Sequence, residues 1–406
     1  MATKNIAVDI VIVGAGMVGL TLANLLAKQG KDIAIVDRSE VAVFKDQQEI
    51  QSRVTAVSPG SQAIFEYVNA WSAMQAKRVA PFQHMHVWDE EGNSNIHFNA
   101  HDLDRNNLGH VVENFVIQSS LYEVLQQQNN VEWLLPEHIS KVIAFQDHAE
   151  VELDSGTIIS AKLVVGADGG RSTIRNLAEI PYTEKSYQQT GLVALVETEY
   201  PHKNTAWQRF LSTGPLALLP LSTGQENNKL CSIVWSVSED YADELMKLND
   251  HEFADALTHA SDMQLGSITL KSKCAAFPLI SGQAERMVQA RIALVGDAAH
   301  ALHPLAGQGA NLGFTDAAVL ADVLEQTERD IGSLKVLRKY ERARVGETQI
   351  MQSAMDAFVM AFGSSNDAMV SARNMALQTA DSIQPVKKFF MKHAMGLSKD
   401  RPTFAR

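Results

Sequence analysis

Between Ala293 and Asn311 the chain reads Ala-Leu-Val-Gly-Asp-Ala-Ala-His-Ala-Leu-His-Pro-Leu-Ala-Gly-Gln-Gly-Ala-Asn. A short apolar strand, Ile292–Val295, ends in Gly296-Asp297. A loop holding Pro304, Gly307 and Gly309 follows, and a helix is predicted to open near Asn311. Glycines at a strand end and again before a helix let backbone N–H groups approach a bound anion. Asp297 can accept hydrogen bonds from a sugar or polyol hydroxyl. The helix N-terminus can face a group that becomes negative during turnover.

A second nucleotide signature stands near the start of the chain. Gly14-Ala-Gly16-Met-Val-Gly19 follows an apolar strand, Val8–Val13, and opens a helix, Met17–Gln29, that Gly30 stops. The next strand, Asp32–Val36, ends in Asp37. That context is what a dinucleotide fingerprint requires, with the acid placed for a ribose 2′-OH and against a 2′-phosphate. Two such elements far apart in the chain suggest one extended dinucleotide gripped from both ends, most simply FAD.

Other candidates divide between chemistry and plain structure. Gly166-Ala-Asp168-Gly169 is a common turn pair, but it follows a buried strand and precedes Arg171 and Arg175, which suits a phosphate-proximal role. Arg53, in a polar stretch before a helix, suits the pyrophosphate or simply solvent. His300 and His303 have metal-like spacing without a complete ligand set, so no metal is expected and structural hydrogen bonding is the reading for both.

The elements that must position these residues fall into three groups. Residues 1–72, 100–180 and 285–345 are assigned to a discontinuous nucleotide-binding domain. Residues 73–99 and 181–284 form a β-sheet substrate domain, and 346–406 a C-terminal helical segment. Within them, Leu108–Ile117 reads as a strand, Gln118–Gln128 as a helix, and Asp154-Ser155-Gly156 as a hairpin turn. Gly191–Thr198, Ala206–Ser212, Leu216–Leu221 and Leu230–Val237 read as strands of an inserted antiparallel sheet. Asn311–Gln326 and Leu334–Met360 read as helices. The fold class is therefore α/β.

Composition excludes several functions. A formal charge of −12 over 406 residues argues against nucleic-acid binding, which needs clustered Lys and Arg. Two cysteines, Cys231 and Cys274, make no disulfide framework or structural zinc site, and reduced thiols suit the cytoplasm. The apolar N-terminal stretch is too short for a signal peptide, and no window offers the ~18 apolar residues of a membrane span.

The chain resembles the ubiquinone-biosynthesis branch of the FAD-dependent aromatic hydroxylases. Gly14-Ala-Gly-Met-Val-Gly19, Gly166-Ala-Asp-Gly169 and Gly296-Asp297-Ala-Ala-His300 carry the likeness. The run His303-Pro-Leu-Ala-Gly-Gln-Gly-Ala-Asn-Leu-Gly-Phe-Thr-Asp316 is specific to prenylphenol hydroxylases. Val112–Gln118, Cys231–Ser236 and Met395-Gly-Leu397 fit the same branch. The resemblance implies a Rossmann-like FAD-binding domain of the hydroxybenzoate-hydroxylase type. It places Gly14, Gly16 and Gly19 on the pyrophosphate and Asp37 on the adenosine ribose. Arg53 and Gln118 would contact the middle of the cofactor, and Gly296 and Asp297 the ribityl chain. The loop from Pro304 through Gly307, Gln308, Gly309 and Ala310 to Asn311 would line the flavin ring. The Pro304 carbonyl would lie near the substrate phenol, and the helix N-terminus at Asn311 would stabilise the reduced flavin. Asp168 and Gly169 match a motif tied to FAD and to a transient NAD(P)H donor. Gln308 stands where hydroxybenzoate relatives carry lysine.

The implied reaction is hydroxylation of a polyprenylphenol ring by O₂ through a flavin C4a-hydroperoxide. Another flavin enzyme, such as an isoprenoid reductase, a halogenase or another aromatic hydroxylase, and an FAD-retaining scaffold subunit remain alternatives. A ring pocket is expected between the 181–284 sheet and the flavin loop, with Trp207, Phe210, Leu219, Pro220 and Trp235 as candidates. The methionine-rich tail and the cluster Lys387, Lys388, Phe389, Phe390 and Lys392 suit docking to the inner-membrane periphery or to a biosynthetic complex. Deleting 386–406 would then spare FAD binding. A homo-oligomer is also compatible with the sequence.

Overall fold

Strands that are apolar throughout belong in a parallel sheet covered on both faces. Ile10–Val13, Ile33–Val36 and Leu163–Val165 meet that description, since every one of these residues is buried. In the computed structural model, which describes residues 4–45, 47–90, 95–222, 228–302, 308–362, 395 and 402–405, they form the centre of the first sheet. Strands are numbered along the chain. Asn5–Val13 (β1) pairs in parallel with Ile33–Val36 (β2) on one side and Ile158–Gly166 (β11) on the other. Val131–Leu134 (β8) and Ile292–Leu294 (β19) extend the sheet in parallel beyond them. Ile139–Ala144 (β9), Ala149–Leu153 (β10) and Val288–Gln289 (β18) are antiparallel additions. The turn at Asp154–Gly156 closes the β10–β11 hairpin, with Gly156 at φ +83°. Helix Met17–Lys28 (α1) packs between Asn114–Leu125 (α4) and Gln308–Glu325 (α8) on this sheet. Pro59–Tyr67 (α2) and Trp71–Lys77 (α3) join the same core through Ile64, Phe65, Trp71 and Met74.

The second sheet collects Tyr182–Thr198 (β12), Thr205–Leu211 (β13), Gly214–Pro220 (β14), Leu230–Ser238 (β15), Ile268–Leu270 (β16) and Ala275–Ala284 (β17). His84–Asp89 (β5) and Asn95–Asn99 (β6) extend it past β13, and His300–Ala301 (β20) closes the other edge on β17. All its pairings are antiparallel except β5 with β13. Side chains alternate across it. Leu192, Ala194 and Val196 face Glu239–Leu245 (α6) and Asp250–Ala260 (α7), while Leu195 faces Ala80 and Val111 of a three-stranded sheet. That third sheet is Val54–Val57 (β3), Gly109–Glu113 (β7) and Ala80–Phe82 (β4). It lies between the two larger sheets, and Ser232 Oγ of β15 donates to Ser52 O just before β3 at 2.7 Å.

Two expected boundaries move. The apolar run Leu108–Ile117 is not one strand: β7 ends at Glu113 and α4 begins at Asn114. A buried strand and the buried start of a helix look alike in hydrophobic pattern, so the break was invisible there. Helix α8 begins at Gln308, three residues before the expected start at Asn311. Leu334–Phe362 (α9) is continuous across residue 345.

The chain end also corrects an expectation. Phe404 and Ala405 are buried in the first core, Phe404 meets Tyr67 at a ring distance of 4.8 Å, and Thr403 N–H donates to Asp322 at 2.7 Å. Met395 is buried beside Ala100 and Leu108. Deleting 386–406 would therefore unpack the nucleotide domain rather than remove a separable tail. The Lys387–Lys392 cluster lies outside the described residues. We expect Phe404→Ala to cost about 3 kcal/mol of stability in urea unfolding. An unchanged midpoint would mean that this terminal turn is not part of the cooperative core. Among the described residues, no helix is long and apolar enough to cross a membrane.

Candidate functional site

The three glycines of the first fingerprint do three different things. Gly14 has φ +110°, and a Cβ there would stand 2.4 Å from the Ala167 carbonyl oxygen. A Cβ at Gly19 would stand 1.9 Å from Gly14 O, so that glycine lets α1 close onto the strand turn. A Cβ at Gly16 would meet no protein atom within 4 Å. Gly16 is also the N-cap of α1, with no side-chain cap and no acid in the first turn. The first N–H groups of α1 thus face away from other protein atoms, which is the arrangement that receives a phosphate.

Asp37 and Gln118 hold the same loop. Ala15 N–H donates to Asp37 Oδ2 at 2.7 Å, and Ser39 N–H donates to Oδ1 at 2.9 Å. Gln118, in the second turn of α4, donates its amide to Ala15 O at 2.8 Å. Each carboxylate oxygen of Asp37 retains a lone pair for a ribose hydroxyl.

At the same C-terminal edge of the sheet, two strands along, Gly296 at φ +60° begins a 3₁₀ turn, Gly296–Ala298, that presents Asp297. Asp297 is reached by solvent although protein surrounds it on most sides, as at the floor of a recess. Burial pushes its carboxyl above the ordinary value, His300 and Arg53 pull it down, and Asp316 pushes it up. Arg53, exposed at the start of β3, therefore shares the recess with Asp297. Val18 of α1 sits against both Gly296 and Gly313, where a Cβ would approach it to 3.3 Å and 2.6 Å. Gly313 was not singled out in the sequence, and it brings the two nucleotide signatures together.

The loop after β11 is less direct than expected. Asp168 accepts from Ser172 Oγ at 2.5 Å and from Thr173 N–H at 2.6 Å, so its carboxylate caps Thr173–Leu177 (α5). Gly169 and Gly170 leave open space where a Cβ would stand. Buried Arg175 donates to Gly170 O at 2.7 Å and Ala298 O at 3.0 Å, and stacks 3.6 Å from the Tyr182 ring centroid. It ties this loop to the Asp297 turn.

Asn311 is buried in α8 and reaches across to the β3–α2 connection. Its Oδ1 accepts from Ser58 N–H at 3.0 Å and Ser61 Oγ at 2.7 Å, and its Nδ2 donates to Ala56 O at 2.9 Å. Because α8 starts at Gln308, the helix end that faces the site belongs to Gln308, Gly309 and Ala310 rather than to Asn311. A Cβ at Gly309 would meet nothing within 4 Å. His303, Pro304 and Gly307 lie outside the described residues.

Behind the Asp297 turn sits a charged cluster that the sequence did not reveal. Fully buried Asp316 accepts from His300 Nε2 at 2.7 Å, Gly296 N–H at 2.9 Å and Arg344 Nε at 2.6 Å. Arg344 also pairs with Glu347. Burial lowers the basicity of His300, but the charge and hydrogen bond of Asp316 more than offset this and raise it above the usual imidazole range. Burial raises the Asp316 carboxyl, yet His300 and Arg344 together hold it at about 2. His300 is thus a structural partner of Asp316. Among the described residues, no group of three His, Cys, Asp or Glu side chains is arranged to hold a metal.

On the second sheet, alternation sorts the expected pocket residues. Trp235 and Trp207 pack into the cluster under α6 and α7, away from the nucleotide domain, and Pro220 pairs with Cys231 of that same cluster. Leu219 packs on the opposite face, beside Val54, and Phe210 shares that face by its offset from Trp207. The same face carries the small residues Ala217 and Ser232, whereas the space over Gly191 is taken by Phe277 and Leu279, which a Cβ there would approach to 2.8 Å and 3.0 Å.

A dinucleotide fits these residues. Gly16, Gly169, Gly170 and Gly309 each leave open space where a Cβ would stand among the described residues, and they lie at the α1 N-terminus, in the loop after β11 and in the first turn of α8. Comparison with known proteins agrees. The family model described as FAD binding domain matches residues 7–354. The chain is 35% identical to the 3-demethoxyubiquinol 3-hydroxylase of Escherichia coli K12, over 96% of this chain and 98% of that protein. It is 33% identical to the mitochondrial ubiquinone biosynthesis monooxygenase COQ6 of Danio rerio, over 97% of this chain and 90% of that protein. Among solved structures, p-nitrophenol 4-monooxygenase PnpA from Pseudomonas putida superposes with TM-score 0.77 at 18% identity, covering 98% of this chain and all of that one. PqsL of P. aeruginosa, in complex with 2-aminobenzoylacetate, superposes with TM-score 0.74 at 22% identity, covering 88% and 97%. At those identities the structures speak for the fold alone.

Proposed function

This chain belongs to the FAD binding domain family, and from that premise we propose that it is an aromatic monooxygenase of ubiquinone biosynthesis, hydroxylating the ring of a polyprenylphenol with O₂ and NAD(P)H. The observation that carries the reading is end-to-end similarity to a ubiquinol-intermediate hydroxylase, coupled to a cradle whose open positions suit an extended dinucleotide. Bound FAD would supply the redox chemistry, taking hydride from the nicotinamide and activating O₂ at C4a. Residues of the chain do the rest. The α1 N-terminus receives the pyrophosphate, Asp37 the adenosine ribose and Asp297 the ribityl hydroxyls. The first turn of α8 directs its N–H groups at the charge that appears on reduction. The face of the second sheet that carries Ala217, Leu219 and Ser232 orients the ring and excludes water.

Purified protein reconstituted with FAD should oxidise NADH or NADPH faster when a short-tail prenylphenol is added, and release a product one oxygen heavier. Expression in a strain lacking a ubiquinone-ring hydroxylase should restore ubiquinone. Stimulated NAD(P)H oxidation with no oxygenated product would turn the reading toward another flavin chemistry. An FAD-loaded protein inert to every phenol, yet needed for ubiquinone in cells, would point to a scaffold.

A further inference from the structure

The carboxylate of Asp316 bonds to both ends of the turn that presents Asp297, and a second helix anchors it from behind. Its Oδ2 accepts from Gly296 N–H at 2.9 Å, where the turn begins, and from His300 Nε2 at 2.7 Å, where the turn leaves. Its Oδ1 accepts from Arg344 Nε of α9 at 2.6 Å. Two further bonds grip the same stretch: Tyr340 donates its hydroxyl to Leu294 O at 2.9 Å and Arg175 donates to Ala298 O at 3.0 Å. Within Leu294–His300, Asp297 is the one residue exposed to solvent.

We propose that Asp316 is the positioning residue of the cofactor site, fixing the Gly296–His300 turn so that the Asp297 carboxylate is held ready for the ribityl hydroxyls before FAD arrives. The physical reason is the left-handed conformation of Gly296, which glycine visits freely in an unconstrained loop and which here must be kept in one state. A fully buried carboxylate with three donors is a stiff anchor, because moving any donor away would leave charge unpaired in a dry environment. Asp316 touches neither cofactor nor substrate on this reading; it acts through Asp297. The inference rests on FAD binding and not on which ring is hydroxylated.

The test is a double-mutant cycle read as the dissociation constant of FAD, titrated by flavin fluorescence into apo-protein. Asp316→Asn is expected to weaken FAD about tenfold or more in the wild-type background, since one buried donor is left facing an amide N–H. In an Asp297→Asn background the same change should have little further effect, because the group it positions is already disabled. Losses that multiply in the double variant would overturn the proposal, as would wild-type FAD affinity in Asp316→Asn. Should Asp316→Asn not fold, Arg344→Met removes the anchor from α9 while leaving the Gly296 and His300 bonds in place. It should show the same dependence on Asp297, and multiplying losses would again reject the idea. Failure to hydroxylate any prenylphenol would leave this result untouched.

Discussion

Asp297→Ala is expected to give a folded protein that emerges from dialysis largely without FAD. The carboxylate stands at the tip of a 3₁₀ turn, accessible to solvent, and no described residue donates a hydrogen bond to it. Among the described residues, no hydrogen bond of the fold is therefore lost with it. A charge-assisted bond to a polyol hydroxyl contributes about 1.5–3 kcal/mol, so its removal weakens binding from about tenfold to more than a hundredfold. Flavin absorbance relative to protein after dialysis is the measurement, with thermal unfolding of the apo-protein as the control. Full flavin retention at unchanged affinity would take Asp297 out of the site.

Much of the scaffold around Asp297 was legible because its signals are local. The strand–glycine–helix context of Gly14–Gly19, the hairpin at Asp154–Gly156 and the long helix that opens at Leu334 appear as the residue pattern implies. What was not legible depends on partners distant in sequence. Asp316 looks like one more polar residue in an amphipathic helix. Its importance appears only when α9 brings Arg344 against it and the Gly296 turn folds over it. Asp168 shows the opposite case. Its turn motif pointed toward the cofactor, but a short-range capping bond to Thr173 engages the carboxylate first, as Asp commonly does at helix starts. Trp207 and Trp235 are among the residues expected to line the ring pocket, of which strand alternation can place only some on the inner face. The registry of β13 and β15 instead turns them under α6 and α7, because a side chain's face is set by its parity in the strand. The burial of Phe404 in the nucleotide-domain core had no sequence signal, since a tail of mixed composition does not say what it will dock against.

The fingerprint glycines allow cofactor binding to be separated from folding within a single motif. Gly19→Ala places a methyl 1.9 Å from a backbone oxygen, and Gly14→Ala combines φ +110° with a 2.4 Å approach to Ala167 O. In both cases the obstacle is main chain, which cannot rotate aside as a side chain can. Each should destabilise the apo-protein by about 1–3 kcal/mol, through overpacking and backbone strain. Gly16 differs. Its φ is −73°, which alanine adopts freely, and its Cβ would meet nothing in the protein. Gly16→Ala should leave apo-protein stability within about 0.5 kcal/mol of wild type, or raise it slightly by restricting the unfolded chain. FAD affinity should nevertheless fall sharply, because the methyl occupies the approach to the α1 N-terminus where backbone and pyrophosphate must meet. Urea unfolding of the three variants with and without FAD separates the cases. Gly14→Ala and Gly19→Ala should unfold early in both conditions, whereas Gly16→Ala should match wild type without FAD and lose the stabilisation that FAD confers. If Gly16→Ala were stabilised by FAD as fully as wild type, the open space beside that glycine would have another use, and the pyrophosphate would have to be placed elsewhere along the loop.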